Sequence, residues 1–597
     1  MYSQPMQAAE EYRERLQQRN LGVHRLEALH IRLGNLRLAV ALLAVGIAWE
    51  SLKQHAWSPW WTALPLTLFA GIAICHSRIL QARDLAQRAV AFYEHGLARV
   101  ENRWLGTGQT GERFTDPHHV YAGDLDLFGR GSLFELLSTA RTRMGEEALA
   151  GWLLTPAAVD EIEERQAAVR ELRDQLDLRE DLAVVGKDAG VGVYGKALLS
   201  WAEAPNRMGP EWMRWLSLIL GVSAMAAAAI WGWWGRTTPL ILLLVLEAVV
   251  KRRLGKPLAE VFDSAEHAFR DLGLLSGLLA RVERHPFSAP RLQRLQRQLI
   301  SHGLPSSRAI ARLKTILELS DSRRNLILAA LDIPLMYSVQ VAFAAEAWRR
   351  AHGRAVGLWL CAIAEMEALL SLAAYSYEHP GDPFPEFVHD APCLDAAEIG
   401  HPLIPPGNLI RNSVRLVDDV HVLLVSGSNM SGKSTLLRTV GINVVLAMAG
   451  APVRAERLRL SPLRVGASIR SNDSLQEGIS RFYAEITRVR QLFELAGGKP
   501  SLLFLLDEFL EGTNSNDRRI GAERVLCAML KRGAIGLIST HDLALADIDG
   551  TLNGQLQNVH FQEEFENGRM SFDYKLREGV VRKSNGLALM RSIGLDV

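Results

Sequence analysis

Cysteine is scarce and scattered. Cys75, Cys361, Cys393 and Cys527 are the only four, with no CxxC pair and no metal-ligand spacing, so neither a disulfide framework nor a zinc site is supported. Net charge is nearly absent too, 67 Lys+Arg against 66 Asp+Glu. That removes the bulk-charge argument for a nucleic-acid binder or an acidic tail but leaves local basic faces open. No cleavable signal peptide is expected, because the first apolar run starts near Leu38, after a long charged stretch.

What the chain has in quantity is length and hydrophobicity. Its 597 residues correspond to roughly four domain-sized units at about 150 residues each. With 48% hydrophobic and 22% charged residues, the apolar content must be concentrated regionally. Nine of the 14 Trp show where, because Trp49, Trp57, Trp60, Trp61, Trp212, Trp215, Trp231, Trp233 and Trp234 fall in two short stretches.

Leu38 to Trp49 and Trp57 to Cys75 are uncharged runs that read as one helical hairpin, about 38–75. Trp215 to Gly235 is uncharged throughout, and Thr237 to Val250, containing Glu247, makes a second hairpin, about 215–250. About 20 apolar residues span a bilayer, a length Trp215 to Gly235 meets outright and the others meet only with flanking residues drawn in. Arg32, Arg37, Arg78, Arg83, Arg88, Lys251, Arg252 and Arg253 flank the runs, whereas the connecting loops hold only Lys53 and Arg236. By the positive-inside rule both hairpins point outward, with the bulk of the chain in the cytoplasm and the protein in the inner (cytoplasmic) membrane. The competing reading is that such short apolar runs are buried core helices.

His421 to Val425 reads as a buried parallel strand, followed by Gly427, Ser428, Asn429, Met430, Ser431, Gly432, Lys433, Ser434 and Thr435, then a helical pattern from Leu436. That is GxxxxGK[ST] in its strand-loop-helix context. Its backbone N–H groups cradle phosphate oxygens, Lys433 reaches the β/γ-phosphates and Ser434 ligates Mg²⁺. Ser501 to Leu506 is a second buried strand, ending in Asp507 and Glu508. Asp507 is the expected metal-holding carboxylate, through water, and Glu508 the general base toward the attacking water. A third strand, Ala534 to Ser539, ends in Thr540, His541 and Asp542, which puts an imidazole at the sheet edge where ligands bind; its order after the two phosphate motifs makes His541 the candidate γ-phosphate sensor.

From His401-Pro402 to the C-terminus these residues resemble the ATPase domain of the MutS mismatch-repair family. The P-loop, Leu506-Asp507-Glu508 with Gly512-Thr513-Asn514, Asn558-Val559-His560, and Lys583-Ser584-Asn585-Gly586-Leu587-Ala588 carry the likeness. Gly478 to Glu485 is similar to the family's serine-x-phenylalanine signature, which implies that Ser480 reaches the γ-phosphate bound by a partner subunit and that hydrolysis requires a homodimer. Read without the family, Ser480 is an N-cap whose helix end favours an anion. The resemblance also puts adenine contacts near Ile410, with Tyr574 stacking on the base. Leu127 to Leu136, Thr142 to Gly145, Trp152 to Leu154 with Pro156, Arg165 to Val169 with Leu172, and Glu365 to Ala373 resemble the family's helical core and lever.

The departures bear on function. About 120 residues precede the core and contain the first hairpin, where a mismatch-repair protein carries a mismatch-reading domain and a connector. The Phe92-Tyr93-Glu94 triplet lies in a helical stretch and reads as helix surface rather than a mismatch wedge. Arg281, Arg284, Arg291, Arg294, Arg297, Arg308, Arg312 and Lys314 face only Glu283 in their stretch. Arg291, Arg294 and Arg297 at spacing three would line one helix face that suits a phosphate backbone, or equally a solvated surface or anionic lipid.

The expected architecture is an α/β P-loop NTPase domain of ABC type, MutS-like (386–597), joined to an all-α core/lever domain (120–385) interrupted by the second hairpin, after an N-terminal helical region (1–119) with the first. The expected function is ATP hydrolysis with Mg²⁺ at a composite dimer site, coupled to DNA binding at the membrane. The alternative is a membrane-anchored mechano-ATPase acting on lipid or a protein partner without DNA.

Overall fold

The computed structural model describes residues 4–53, 59–192, 195–206, 208–321, 332, 335–389, 391–428, 430–469, 481–510, 514–542, 545, 552, 554–566 and 569–580. α1 (Gln4–Lys53) and α2 (Ala63–Val100) are joined through a 3-10 turn at Pro59–Thr62. They run antiparallel, since Tyr12 packs on Tyr93, His30 on His76 and Arg37 on Phe69, partners converging on the turn from both sides. Both helices extend well past their apolar runs, because Arg, Gln, Leu and Ala in the flanks are good helix formers and nothing there stops the helix. Tyr93 is not on the helix surface as the sequence suggested: it is fully buried, its hydroxyl 2.5 Å from Glu180.

Five shorter helices follow: α3 (Leu133–Leu137), α4 (Arg143–Leu154), α5 (Val159–Arg173), α6 (Leu176–Gly192) and α7 (Gly195–Glu203). α3 and α4 start on side-chain caps, Ser132 accepting from Glu135 N–H and Thr142 from Gly145 N–H, which satisfy donors a helix end leaves free. α8 (Trp212–Trp234) and α9 (Thr238–Arg284) form the second hairpin, turning at Gly235, whose φ of +69° suits a residue without a Cβ. α9 continues far beyond its apolar start. α10 (Pro290–Gln298), a small antiparallel pair β1 (Ile300–Ser301) and β2 (Leu304–Pro305), α11 (Ser306–Asp321) and the long α12 (Tyr337–Glu378) complete the helical part.

Among the described residues, four helices are long and apolar enough to cross a membrane by length and composition: Gln7–Ser51, Trp60–Val100, Trp212–Trp234 and Tyr337–Glu378. The last is mostly buried inside the protein, packed on α4, α5, α9 and α11. α9 is not among them; its apolar stretch is short, interrupted by Glu247 and ended by Lys251, Arg252 and Arg253. The apolar sides of α1, α2 and α8 instead face outward, with Leu42 65% and Trp233 84% exposed.

The C-terminal part is an α/β sheet region. β3 (Glu386–Phe387), β4 (Leu394–Ile399), β5 (Asn412–Leu416) and β7 (Arg457–Leu460) form one sheet in the order β3-β7-β4-β5. The other has the order β12-β11-β6-β10-β9-β8, from β6 (Val422–Ser426), β8 (Leu463–Ser468), β9 (Ser501–Leu506), β10 (Ile535–Thr540), β11 (Leu556–Glu566) and β12 (Arg569–Glu578). Its strands pair in parallel except β12, antiparallel on β11. Every residue of β6 and β10 is buried, as a strand covered on both faces requires, and their sequences are correspondingly continuous apolar runs. α13 (Lys433–Ala449), α14 (Arg481–Leu495) and α15 (Ser515–Leu530) connect the strands.

No break in packing falls at 385/386, where the domain boundary is expected. One hydrophobic core runs from Trp104 through α12 to Phe561. Val120 C=O accepts from Ala467 N–H at 2.8 Å and Asp124 from Ile469 N–H at 2.8 Å, bonding the segment before α3 to the β8 edge.

Candidate nucleotide site

The crossover from β6 to α13 reverses the backbone sharply: Met430 has φ +73° and Gly432, immediately before α13, φ +102°. A Cβ on Gly432 would stand 3.2 Å from the Tyr574 ring, so this glycine serves both the turn and the close approach of β12. Lys433 is almost completely buried, and its Nζ donates to the carbonyls of Gly427 and Ser428, each at 2.8 Å. The hydroxyls of Ser428 and Ser431 are buried without a hydrogen-bond partner. Buried polar atoms are nearly always satisfied, so two orphan hydroxyls beside a buried ammonium at a helix N-terminus fit an incoming anion with several oxygens.

Gly432 and Lys433 edge a cavity of about 530 Å³, lined also by Ile410, Met430, Ser434, Thr435, Glu508 and Tyr574. It thus brings the P-loop, the acid after β9 and both expected base-contacting residues together. Asn412 fixes one wall: its Nδ2 donates to Tyr574 C=O at 3.0 Å and its Oδ1 accepts from Leu576 N–H at 2.8 Å. His401 also lines the cavity; burial, with Arg438 nearby, lowers its pKa to about 4, so it is neutral at physiological pH.

Asp507 and Glu508 follow β9 directly, with Glu508 in the left-handed region at φ +48° and Leu510 at φ +58°. Non-glycine residues held there cluster where function over-determines the backbone. Ser539, near the end of β10, donates to Asp507 Oδ1 and accepts from Glu508 N–H at 3.0 Å. Glu485 of α14 accepts from Leu510 N–H at 2.6 Å, while Arg518 of α15 donates to Leu510 C=O at 3.0 Å and to Asp542 at 3.2 Å. His541 lies exposed at the C-terminal end of β10, outside the cavity lining. Asn429 and Ser480 lie outside the described residues, as do Gly512, Thr513 and Lys583 to Ala588.

Ser539, Glu485, Arg518 and Asn412 were not assigned roles from sequence. Ser539 had a signal, a hydroxyl at the end of an otherwise apolar strand, and Glu485 lay within the quoted signature; for Arg518 and Asn412 there was none, since their partners come from other segments.

The basic stretch is a correction. Arg291 is not a free phosphate-facing cation: it is largely buried and bonded to Glu161, Glu164 and Glu365. Arg294 pairs with Glu164 at 2.6 Å, Arg281 with Asp181, and Lys314 with Glu318 at 3.7 Å. The acids come from α5, α6, α11 and α12, so counting charge along 281–314 overstated the field. Arg297, Arg308 and Arg312 remain at the surface.

A parallel sheet with a Gly-rich loop opening a helix, and acids at the end of a neighbouring strand, defines a P-loop nucleotide-binding protein. Comparison with known families narrows it. Residues 423–596 match MutS domain V and residues 120–189 match MutS domain III. The Thermus thermophilus protein named Endonuclease MutS2 is 36% identical over 198 residues, 33% of this chain and 25% of the relative. The Lactobacillus johnsonii DNA mismatch repair protein MutS is 30% identical over 243 residues, 39% and 27%. Over these two segments the chain is similar to the MutS family. It spans only about a quarter of the length of these curated relatives.

Proposed function

We propose that this chain binds ATP with Mg²⁺ in the P-loop cavity and hydrolyses it, as a membrane-anchored MutS-type ATPase. The observation that carries the reading is one cavity lined by Lys433, Ser434 and Glu508, with the orphan hydroxyls of Ser428 and Ser431 in the adjoining loop. Lys433 and the N–H groups opening α13 neutralise and orient the phosphates. Ser434 and Asp507 would hold the magnesium ion, which when bound supplies charge stabilisation to the phosphoryl oxygens. Glu508 takes a proton from the attacking water, with Ser539 fixing the peptide that aims it. Ile410 and Tyr574 sandwich the base, and His541 reads the γ-phosphate. Ser480, supplied in trans, completes the site in a homodimer through the ATPase domain.

The outward apolar faces of α1, α2 and α8 support insertion in the inner membrane, with helical levers passing nucleotide-driven movement to them. Relatives named for DNA mismatch repair favour DNA as the partner, contacted by the surface cations Arg297, Arg308 and Arg312. The second reading, work on lipid or a membrane protein without DNA, is favoured by the neutralisation of Arg291, Arg294 and Arg281.

Glu508→Gln should retain ATP binding and lower turnover at least about 10²-fold; unchanged turnover removes Glu508 as base. Duplex and branched DNA binding across a salt series separates the two partner readings, since phosphate contacts give affinity that falls steeply with salt.

A further inference from the structure

Arg179 on α6 is 3% exposed, and its Nε, Nη1 and Nη2 are all buried without a hydrogen-bond partner. Its guanidinium stands 4.5 Å from the Tyr377 ring centroid. It lines a cavity of about 30 Å³ with Arg141, whose Nε is likewise buried and unpartnered. Phe92 of α2, Leu278 of α9, and Met366 and Glu367 of α12 also border the cavity, so four long elements meet there.

The nearby acids are committed elsewhere. Glu367 accepts from Thr142 Oγ1 at 2.5 Å and from the N–H groups of Thr142 and Arg141. Burial pushes its pKa up to about 7, so at neutral pH it carries only part of a charge. Glu378 is held by Arg99 at 2.6 and 2.8 Å and by the Tyr12 hydroxyl at 3.1 Å. Glu180 is held by Arg19 at 2.7 Å and the Tyr93 hydroxyl at 2.5 Å. His95 is kept neutral, its pKa lowered to about 4 by burial and the neighbouring Arg99 and Arg141. Among the described residues this positive charge therefore has no counter-charge, and burying a charge unpaired is strongly disfavoured.

We propose that Arg179 and Arg141 bind one small monatomic anion of the halide class, chloride in practice, in this cavity. A cavity of roughly 10–15 Å³ holds a water, so a space of about 30 Å³ suits a single small ion and is too small for a nucleotide. A water would fill the space but leave the charge uncompensated. The bound ion ties α6 to the loop between α3 and α4, beside the packing of α2 and α12.

The test is thermal unfolding of the full chain in detergent at constant ionic strength, in sodium chloride, sodium bromide or sodium isethionate, whose organic anion is too large for the cavity. The expected result is a higher, saturable midpoint in either halide, lost in Arg179→Gln, weakened in Arg141→Gln and retained in the surface variant Arg294→Gln. Identical midpoints for the wild-type chain in all three salts would overturn the proposal without recourse to any variant. A halide effect that survives unchanged in Arg179→Gln would overturn it equally.

Discussion

β9, Ser501–Leu506, and the outer half of α1 are both leucine-rich, yet Leu505 is fully buried while Leu42 is 65% exposed. In the sheet region the chain supplies its own cover, with α13, α14 and α15 over the strands. On the hairpins one side of each helix is packed, burying Val40, Ile72, Leu220 and Ala224, while the opposite apolar sides stay exposed. Apolar content thus tells that a surface must leave water; only the arrangement of the rest of the chain tells whether protein or something else accepts it.

The sharpest way to break this contrast is to place a carboxylate in each region. Leu505→Asp should abolish cooperative folding, since an unpaired buried charge costs several kcal/mol, comparable with total stability. Leu42→Asp should leave the detergent-solubilised chain within about 0.5 kcal/mol of wild type yet reduce its recovery in membranes, Asp costing about 2.5–3.5 kcal/mol at a membrane centre. Equal unfolding of both variants in thermal melts would make the hairpin ordinary core.

The stem of the first hairpin should behave like the sheet. Arg99→Met strands the buried Glu378 carboxylate, and denaturant titration should show a loss of about 3–5 kcal/mol.

Glu367 gives a pH signature to the helical side. Its pKa is raised by burial from 4.5 to about 7, so between these values the folded state holds more protons than the unfolded. Its contribution is therefore fully present below about pH 4.5 and is lost as pH rises toward 7, by roughly 3 kcal/mol. The stability difference between wild type and Glu367→Gln, measured across that range, should fall with rising pH; a flat difference shows the carboxyl is already ionised in the fold.

The smallest effect is expected at the surface. Arg294, half exposed beside Glu164, should lose only about 0–1 kcal/mol on change to Gln, and a larger loss in the same titration would mean that the face is structural.

The P-loop and the acids after β9 were legible because a strand, a glycine turn and a helix start are local features set by neighbouring residues. Their supports were not. Ser539 reaches Asp507 across adjacent strands, Arg518 joins Leu510 to Asp542, and Arg291 finds acids far off in sequence on α5 and α12. The same limit made the basic stretch look freer than it is and put Tyr93 on a surface. The ends of the hairpin helices were not legible for another reason: charged flanks mark where an apolar run stops, whereas a helix continues until its propensity or capping ends it.

Determined by sequence alone were the nucleotide loop, the order of its strands and acids, and the presence of two apolar hairpins, because each depends on residues within about one element. Decided only by the tertiary structure were the continuity of one core across the expected domain boundary, the neutralisation of the lever arginines, and the uncompensated charge at Arg179. Those depend on which distant segments meet, and pairing energies between segments are invisible until the chain has closed on itself.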